Sequence, residues 1–189
     1  MRKILVLAAL ESELYSKNSS LQTIHYTGVG KVNAALATTK LIIKERPNLI
    51  LNIGTAGCLR LELLGGVFAV GEVIERDMFA EPLAPRGSVP YSNQNPILKS
   101  DFGTVRCATG DSFVLKKDDW LDEKGVDLVD MELFAIAKVA EHFGVEWRAI
   151  KFASDTADEN AGIDWQNSLK TSQLVFKELL ESIWESDWL

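Results

Sequence analysis

Short continuous apolar runs recur along the chain, and they constrain its fold more than any other feature. The first spans Lys3–Ala9, and later runs cover Leu49–Ile53 and Trp147–Ala153. Strands that are apolar on both faces are typical of a parallel sheet covered by helices on both sides. Helical patterns alternate with these runs, so we predict an α/β fold, a three-layer sandwich around a central, twisted, mostly parallel mixed sheet.

The remaining segments fit the same alternation of strands and helices. Further strands are predicted over Gln22–Thr27, Val67–Met78, Thr104–Ala108 and Asp127–Asp130. Helices are predicted over Leu133–Phe143, over Asp164–Trp184 and, with one apolar face, at Val32, Ala35, Leu36, Thr39, Ile42 and Ile43. Gly54–Gly57 reads as a small-residue loop, and Lys116–Gly125 as a surface helix or turn. Four of the five prolines fall between Pro82 and Pro96, which predicts a long loop.

Composition narrows the class of protein. The 189 residues suit one domain spanning 1–189, and a net charge of −7 argues against binding to nucleic acid. No apolar run reaches the roughly 18 residues that a membrane span requires. Two separated cysteines and two isolated histidines give no metal-binding pattern. We therefore expect a cytoplasmic protein without a membrane segment or a bound metal.

Acidic residues follow three of the apolar runs directly. They are Glu11 and Glu13, Asp130 and Glu132, and Asp155. Because the ends of parallel strands share one edge of a sheet, these carboxylates could gather there, where mutual repulsion and burial would raise the pKa of at least one. That arrangement suits hydrolysis through a sugar cation, with one acid and one base. Helix capping is the alternative, since acids favour the same positions for that reason.

Five motifs, in order along nearly the whole chain, resemble the purine nucleoside phosphorylase superfamily. The resemblance is greatest to its hydrolytic branch, the 5′-methylthioadenosine/S-adenosylhomocysteine nucleosidases. The motifs are Ala-Leu-Glu-Ser-Glu (9–13), Gly-Val-Gly-Lys-Val-Asn-Ala-Ala (28–35), Asn-Ile-Gly-Thr-Ala-Gly (52–57), Val-Asp-Met-Glu (129–132) and Ser-Asp-Thr-Ala-Asp (154–158). The resemblance implies a hydrolase that releases adenine from an adenine nucleoside, with no cofactor and no metal.

The resemblance also implies roles for the acids. Glu13, or less favourably its neighbour Glu11, would activate the attacking water. Asp155 would protonate purine N7, with Ser154 orienting its carboxyl group. Glu132 would accept hydrogen bonds from the ribose hydroxyls, and the side chain under the sugar would be that of Met131.

Other implied contacts concern the base and the 5′ group. Phe113 would stack on the base and the backbone of Val114 would read the adenine edge, while Thr55 would lie near the water and the sugar. Trp165 would close the pocket around the 5′ group. For Phe113 and Trp165, plain core packing is an equal alternative. The resemblance further implies a homodimer, for which 82–96 is the candidate contact.

Three alternatives remain open at this point. A phosphorolytic enzyme would need arginines and a glycine-rich loop for phosphate, yet residues 1–20 contain no glycine and Asn52 stands where the phosphorylases carry an arginine. The second alternative is a binding module without turnover, because the segments before Gly28 and over 77–96 depart from the family and Lys151 replaces an arginine near the water. The third is a flavodoxin-like domain that binds phosphate at 54–57.

Overall fold

The structure, a computed structural model, describes residues 2–14, 23–116 and 118–185. Its strands are β1 (Ile4–Ala8), β2 (Ile24–Tyr26), β3 (Leu49–Cys58), β4 (Val67–Glu75), β5 (Ile97–Lys99), β6 (Val105–Thr109), β7 (Leu128–Asp130) and β8 (Glu146–Asp155). Its helices are α1 (Lys31–Glu45), α2 (Asp119–Glu123), α3 (Leu133–His142) and α4 (Ala161–Glu185), with a 3₁₀ turn at Leu61–Leu63.

The strands of the described residues form one mixed sheet in the order β2-β1-β3-β7-β6-β4-β5, with β8 paired to both β3 and β4. Five of the eight strand pairings are parallel, as the apolar runs predict. The β8 pairings close β3, β7, β6, β4 and β8 into a ring. Strands β3 and β7 are antiparallel: Cys58, which ends β3, pairs with Leu128, which begins β7, and Gly57 pairs with Val129.

Helices cover both faces of the sheet. On one face α1 and α3 bury Ala34, Ile42 and Ile136 against the strands. On the other face α4 buries Phe176 and Leu180 against β1, β3 and β8. Burial of these side chains on both faces supplies most of the driving force for folding, and the predicted three-layer α/β architecture is confirmed.

The predicted loop at 54–57 is wrong, because β3 continues without a break to Cys58. Residues 54–56 pair in register with β8, and a register shift after Ala56 brings Gly57 opposite Asp155. Small residues are needed because a Cβ at Gly57 would lie 2.7 Å from Asp155 Oδ1. A buried strand at this position also removes the phosphate-binding loop that a flavodoxin-like domain would use.

The predicted buried face of α1 is also wrong in part. Ala34, Thr38 and Ile42 face the sheet, whereas Val32, Leu36 and Ile43 are 77%, 55% and 62% exposed. Small residues are preferred on the inner face because α1 packs closely against α3. An apolar stripe therefore lies on the outer surface of the helix.

Smaller differences concern the ends of elements. Strand β8 extends to Asp155, so that this acid is part of the strand instead of following it. Strand β5 has no counterpart in the prediction, since its three residues are too few to show a period. The segment 82–96 forms turns without helix or strand, as predicted. None of the helices in the described ranges is long and apolar enough to cross a bilayer.

Candidate active site

A pocket of about 280 Å³ opens where the carboxyl ends of β3, β7 and β8 meet. Eight of the nine predicted site residues line it, and the ninth, Ser154, is hydrogen-bonded to the lining residue Asp155. The lining comprises Ala9, Leu10, Glu13, Val29, Thr55, Ala56, Gly57, Arg76, Ser112, Phe113, Val114, Val129, Asp130, Met131, Glu132, Asp155, Ala157 and Trp165. The sequence motifs thus converge on one cavity.

Asp155 ends β8 and is only 4% exposed. Its Oδ2 lies 2.8 Å from Ser154 Oγ, and its Oδ1 accepts a hydrogen bond from the Ala157 N–H at 3.0 Å. Burial raises the pKa of Asp155 above its ordinary value, in opposition to these two hydrogen bonds. The carboxyl group is therefore held in a fixed orientation and favours its protonated form more than an exposed aspartate does.

Glu13 lies at the opposite wall, in the turn after β1, and is 5% exposed. Its Oε1 accepts hydrogen bonds from the backbone N–H of Thr55 at 3.1 Å and from Thr55 Oγ1 at 2.5 Å. Its Oε2 accepts from the Leu10 N–H at 3.2 Å. The neighbouring Glu11 is exposed and does not line the pocket, so the geometry favours Glu13 between the two candidates.

Glu132 precedes the first residue of α3, and its Oε1 accepts a hydrogen bond from the Gly30 N–H at 2.9 Å. Gly28 and Gly30 both have positive φ values, 81° and 91°, which turn the chain so that this N–H faces the carboxylate. Burial raises the pKa of Glu132 to about 7, and the negative charge of Asp130 adds to the effect. Near neutral pH the group can therefore be ionised or protonated.

Asp130 and Lys151 form an ion pair with 2.8 Å between Oδ2 and Nζ, and both side chains are almost fully buried. Asp130 also accepts from Thr109 Oγ1 at 2.5 Å and from the Leu133 N–H at 2.9 Å. Burial alone would raise the pKa of Asp130, but Lys151 and these hydrogen bonds leave it below its ordinary value. Asp130 thus caps α3, so the capping alternative holds for this acid.

Lys31, the lysine of the Gly-Val-Gly-Lys motif, links the turn at residues 28–30 to the end of β4 through ion pairs. Lys31 Nζ lies 2.5 Å from both Glu75 Oε1 and Asp77 Oδ1, and the Lys31 N–H donates to Asp111 Oδ1 at 2.7 Å. Ion pairs of Lys31 therefore hold the turn whose Gly30 N–H donates to Glu132.

Phe113 and Val114 lie in the loop after β6 and form one wall of the pocket. Phe113 is 50% exposed, and neither residue belongs to the large core clusters on the two faces of the sheet. Core packing therefore does not account for Phe113.

Arg76 is a lining residue that the sequence did not suggest. It is 6% exposed and donates to the backbone carbonyl of Gly110 at 3.0 Å and to that of Ser112. These bonds fix the loop that carries Phe113. Its place directly after the end of β4 is the signal that could have indicated it.

Met131 and Trp165 complete the walls. Met131 is half-buried between the two acids of its motif, and Trp165 reaches in from the first turns of α4 to donate to Thr55 Oγ1 at 2.9 Å. Within the described ranges, no three His, Cys, Asp or Glu side chains are grouped as a metal site requires.

Comparisons with known proteins identify the family of the chain. A family model described as the phosphorylase superfamily matches residues 15–185. The 5′-methylthioadenosine/S-adenosylhomocysteine nucleosidase of Exiguobacterium sp. is 30% identical over 83% of this chain and 77% of its own. The enzyme of the same name from Staphylococcus haemolyticus is 29% identical over 88% of this chain and 82% of its own.

Solved structures show the same fold. The Helicobacter pylori nucleosidase mutant D198N, solved with 5′-methylthioadenosine in its active site, superposes with a TM-score of 0.85 at 22% identity over 98% of this chain and 99% of that one. The S-adenosylhomocysteine nucleosidase of Streptococcus pyogenes gives 0.78 at 25% identity over 96% and 97%. The chain therefore belongs to the phosphorylase superfamily, and within it to the nucleosidase enzymes that its motifs resemble.

Proposed function

We propose that this enzyme hydrolyses the N-glycosidic bond of a 5′-thio-substituted adenosine, such as 5′-methylthioadenosine or S-adenosylhomocysteine, to adenine and the free sugar. One observation carries the proposal: Glu13, Glu132 and Asp155 are all buried and line the walls of one pocket of about 280 Å³. Relatives that are 29% and 30% identical to this chain bear the name of this activity.

Asp155 is the general acid in this mechanism. It gives its proton to purine N7, so that the C1′–N9 bond breaks with its electron pair moving onto a neutral leaving base. The raised pKa of its buried carboxyl group supports this role because the acid must hold a proton near neutral pH. Ser154 and the Ala157 N–H keep the carboxyl group facing the pocket.

Glu13 is the general base. As C1′ gains positive charge, a water oxygen bonds to it and a water proton passes to Glu13. The Leu10 and Thr55 N–H groups and the Thr55 hydroxyl fix the carboxylate for this step. In its ionised form Glu132 accepts from two ribose hydroxyls and stabilises the sugar cation electrostatically, above the surface that Met131 provides.

The adenine base stacks on Phe113, and the backbone of Val114 contacts its edge. Both residues lie in the loop whose carbonyl groups accept hydrogen bonds from Arg76. Trp165 and Leu10 provide apolar surface for the 5′ substituent. Water is favoured over phosphate because four of the described lining residues are acidic and would repel an anion. The terminal nitrogens of Arg76, the basic lining residue, donate to the Gly110 and Ser112 carbonyls and to the Ser112 hydroxyl.

The experiment that tests the proposal measures base release from 5′-methylthioadenosine, S-adenosylhomocysteine, 5′-deoxyadenosine, adenosine and inosine, each with and without phosphate. Futalosine joins the panel because a futalosine hydrolase of Helicobacter pylori shares the fold at 22% identity. Adenine release that is independent of phosphate is expected. A strict requirement for phosphate would overturn the hydrolase assignment, and binding of adenine without turnover of any substrate would instead indicate a binding module.

Variants test the assigned roles. Glu13→Gln and Asp155→Asn should each lower kcat by at least about 100-fold, because each removes one proton-transfer group. Glu11→Gln is the matched control, since Glu11 is exposed and outside the pocket, and it should retain wild-type kcat. Normal turnover by Asp155→Asn would contradict its role as the acid.

We also propose that the enzyme is a homodimer. The apolar stripe of α1, formed by Val32, Leu36 and Ile43, continues to Val29, which lines the pocket and is 41% exposed. Leu83, Val89 and Tyr91 in the segment 82–96 are also exposed. Exposed apolar surface of this kind marks association sites, and a second copy seated on α1 would cover both the stripe and the edge of the pocket.

A further inference from the structure

A chain of two side-chain hydrogen bonds links helix α4 to the carboxylate of Glu13, the proposed general base. Trp165 Nε1 lies 2.9 Å from Thr55 Oγ1, and Thr55 Oγ1 lies 2.5 Å from Glu13 Oε1. Thr55 is 8% exposed and Glu13 is 5% exposed, so water has little access to either group. The chain joins three elements that are distant in sequence: the turn after β1, strand β3 and helix α4.

The chemistry of the groups fixes the direction of this chain. An indole nitrogen can only donate, whereas a hydroxyl group both donates one proton and accepts. Because Trp165 donates to Thr55 Oγ1, that oxygen acts as acceptor on one side, and its own proton is directed to Glu13. Without the indole, the hydroxyl proton would be free to rotate toward other acceptors in the pocket.

The consequence for Glu13 is an asymmetric carboxylate. Oε1 receives the Thr55 hydroxyl and the Thr55 N–H, which fill its accepting positions. Among the residues that the structure describes, Oε2 receives one donor, the Leu10 N–H, and so keeps a lone pair for another partner. The two oxygens therefore have different tasks: one is anchored, and the other can bind and deprotonate water.

We propose that Trp165 is a positioning residue for catalysis, acting through the Thr55 hydroxyl to hold Glu13 with one oxygen anchored and one directed to the attacking water. The proposal rests on the proposed function, since it takes Glu13 as the general base. It adds to the role of Trp165 as an apolar wall for the 5′ substituent, and it couples the first turns of α4 to the chemical step.

The first test separates the indole N–H from the aromatic ring. Trp165→Phe keeps an aromatic side chain but removes the donor, and it should lower kcat by about 10-fold with KM changed less than about threefold. A role limited to packing around the 5′ group would instead raise KM. Trp120→Phe is the matched control, because Trp120 packs against Arg86 with 4.2 Å from ring centroid to Cζ and lies outside the pocket; its kcat and KM should not change.

The second test is a double-mutant cycle with Thr55. If Trp165 acts through the Thr55 hydroxyl, adding Trp165→Phe to Thr55→Val should lower kcat by less than about twofold further. Thr55→Ser keeps the hydroxyl, so it should retain most activity and stay sensitive to Trp165→Phe. Thermal unfolding of every variant identifies any that fail to fold, and Thr55→Ser with and without Trp165→Phe then decides the question.

The outcomes distinguish this inference from the proposed function. Wild-type kcat in Trp165→Phe, or fully multiplicative effects in the cycle, would overturn the positioning role while an inactive Glu13→Gln still supports the base. Full activity of Glu13→Gln would overturn the proposed base and the positioning role together.

Discussion

Asp130 and Glu132 are only two residues apart, yet their surroundings affect their carboxyl groups in opposite directions. Asp130 is paired with Lys151 and has a lowered pKa, whereas Glu132 accepts a hydrogen bond from the Gly30 N–H and has a pKa raised to about 7. Burial opposes ionisation of both groups, and the buried cation decides which of them stays charged. The stability of the free enzyme should therefore depend on pH through Glu132.

Glu132→Gln tests this dependence. Between about pH 4.5 and 7 the folded state keeps a proton on Glu132 that the unfolded chain has lost, so wild-type stability falls as the pH rises through this range. Glutamine has no ionisable group, so the variant does not carry the free-energy cost of a buried ionised carboxylate. The variant should match the wild type near pH 4.5 and exceed its free energy of unfolding by on the order of 2 kcal/mol above pH 7, while losing activity.

Denaturant unfolding at a series of pH values measures the effect. Glu141→Gln, at an exposed position of the same helix, is the matched control, and it should follow the wild type throughout. A stability gap for Glu132→Gln that is constant with pH would contradict the raised pKa of Glu132 in the free enzyme.

Lys151→Met should destabilise the protein by about 3–5 kcal/mol, because it leaves the buried Asp130 charge without its partner. The double variant Lys151→Met/Asp130→Asn should recover much of that loss, since it removes both charges. Urea unfolding provides the comparison. A double variant less stable than Lys151→Met alone would show that Asp130 is held by its hydrogen bonds from Thr109 and Leu133 and not by the ion pair.

The geometry of the site depends on the carboxyl-terminal residues of strand β3. The strand continues through Thr55 to Gly57, where it contacts both β8 and β7. The missing side chain of Gly57 leaves space for the Asp155 carboxyl group, since a Cβ there would also lie 3.1 Å from Val129 Cγ2. Close approach of the strand ends is thus what brings Asp155 and the Val-Asp-Met-Glu motif (129–132) together.

Gly57→Ala should therefore lower kcat by at least about tenfold, because the added methyl group displaces the carboxyl group that must reach the base. Gly162→Ala is the control. Nothing lies within 4 Å of a Cβ at Gly162, which is in helix α4, so this change should leave kcat unaltered. Steady-state kinetics of both variants decide the matter, and wild-type turnover by Gly57→Ala would contradict the fixed position of Asp155.

The sequence predicts more of the site than of its supporting elements. Glu13, Glu132 and Asp155 can be located because each follows or ends an apolar run, and the motif resemblance distinguishes Glu13 from Glu11. The continuation of β3 could not be predicted, because glycine and alanine are typical of loops unless a partner strand requires close approach. Arg76 was missed since a single arginine between two acids is typical of a solvated surface.

The predicted buried face of α1 is wrong for a different reason, which concerns the association of whole molecules. Val32, Leu36 and Ile43 recur with helical spacing, which predicts burial, yet they are exposed in the single chain. Periodicity shows that a face is apolar but not whether this chain or another covers it. The pattern is consistent with our proposal that a second copy covers the stripe.

Leu36→Glu should convert the dimer to a monomer, because it places a charge in the centre of the proposed contact. Leu174→Glu is the matched control, since Leu174 is 65% exposed on α4, on the other face of the sheet, and it should leave the dimer intact. Sedimentation velocity at micromolar concentration measures the mass. A wild-type monomer under these conditions would contradict the dimer proposal.

If water activated in the acidic pocket replaces the purine at C1′, the oxygen of that water must appear in the sugar. Mass spectrometry of the products formed from 5′-methylthioadenosine in ¹⁸O-labelled water containing phosphate tests this directly. We expect one ¹⁸O atom in the released sugar for each adenine formed, and none in adenine. A sugar 1-phosphate product without the label would contradict hydrolysis.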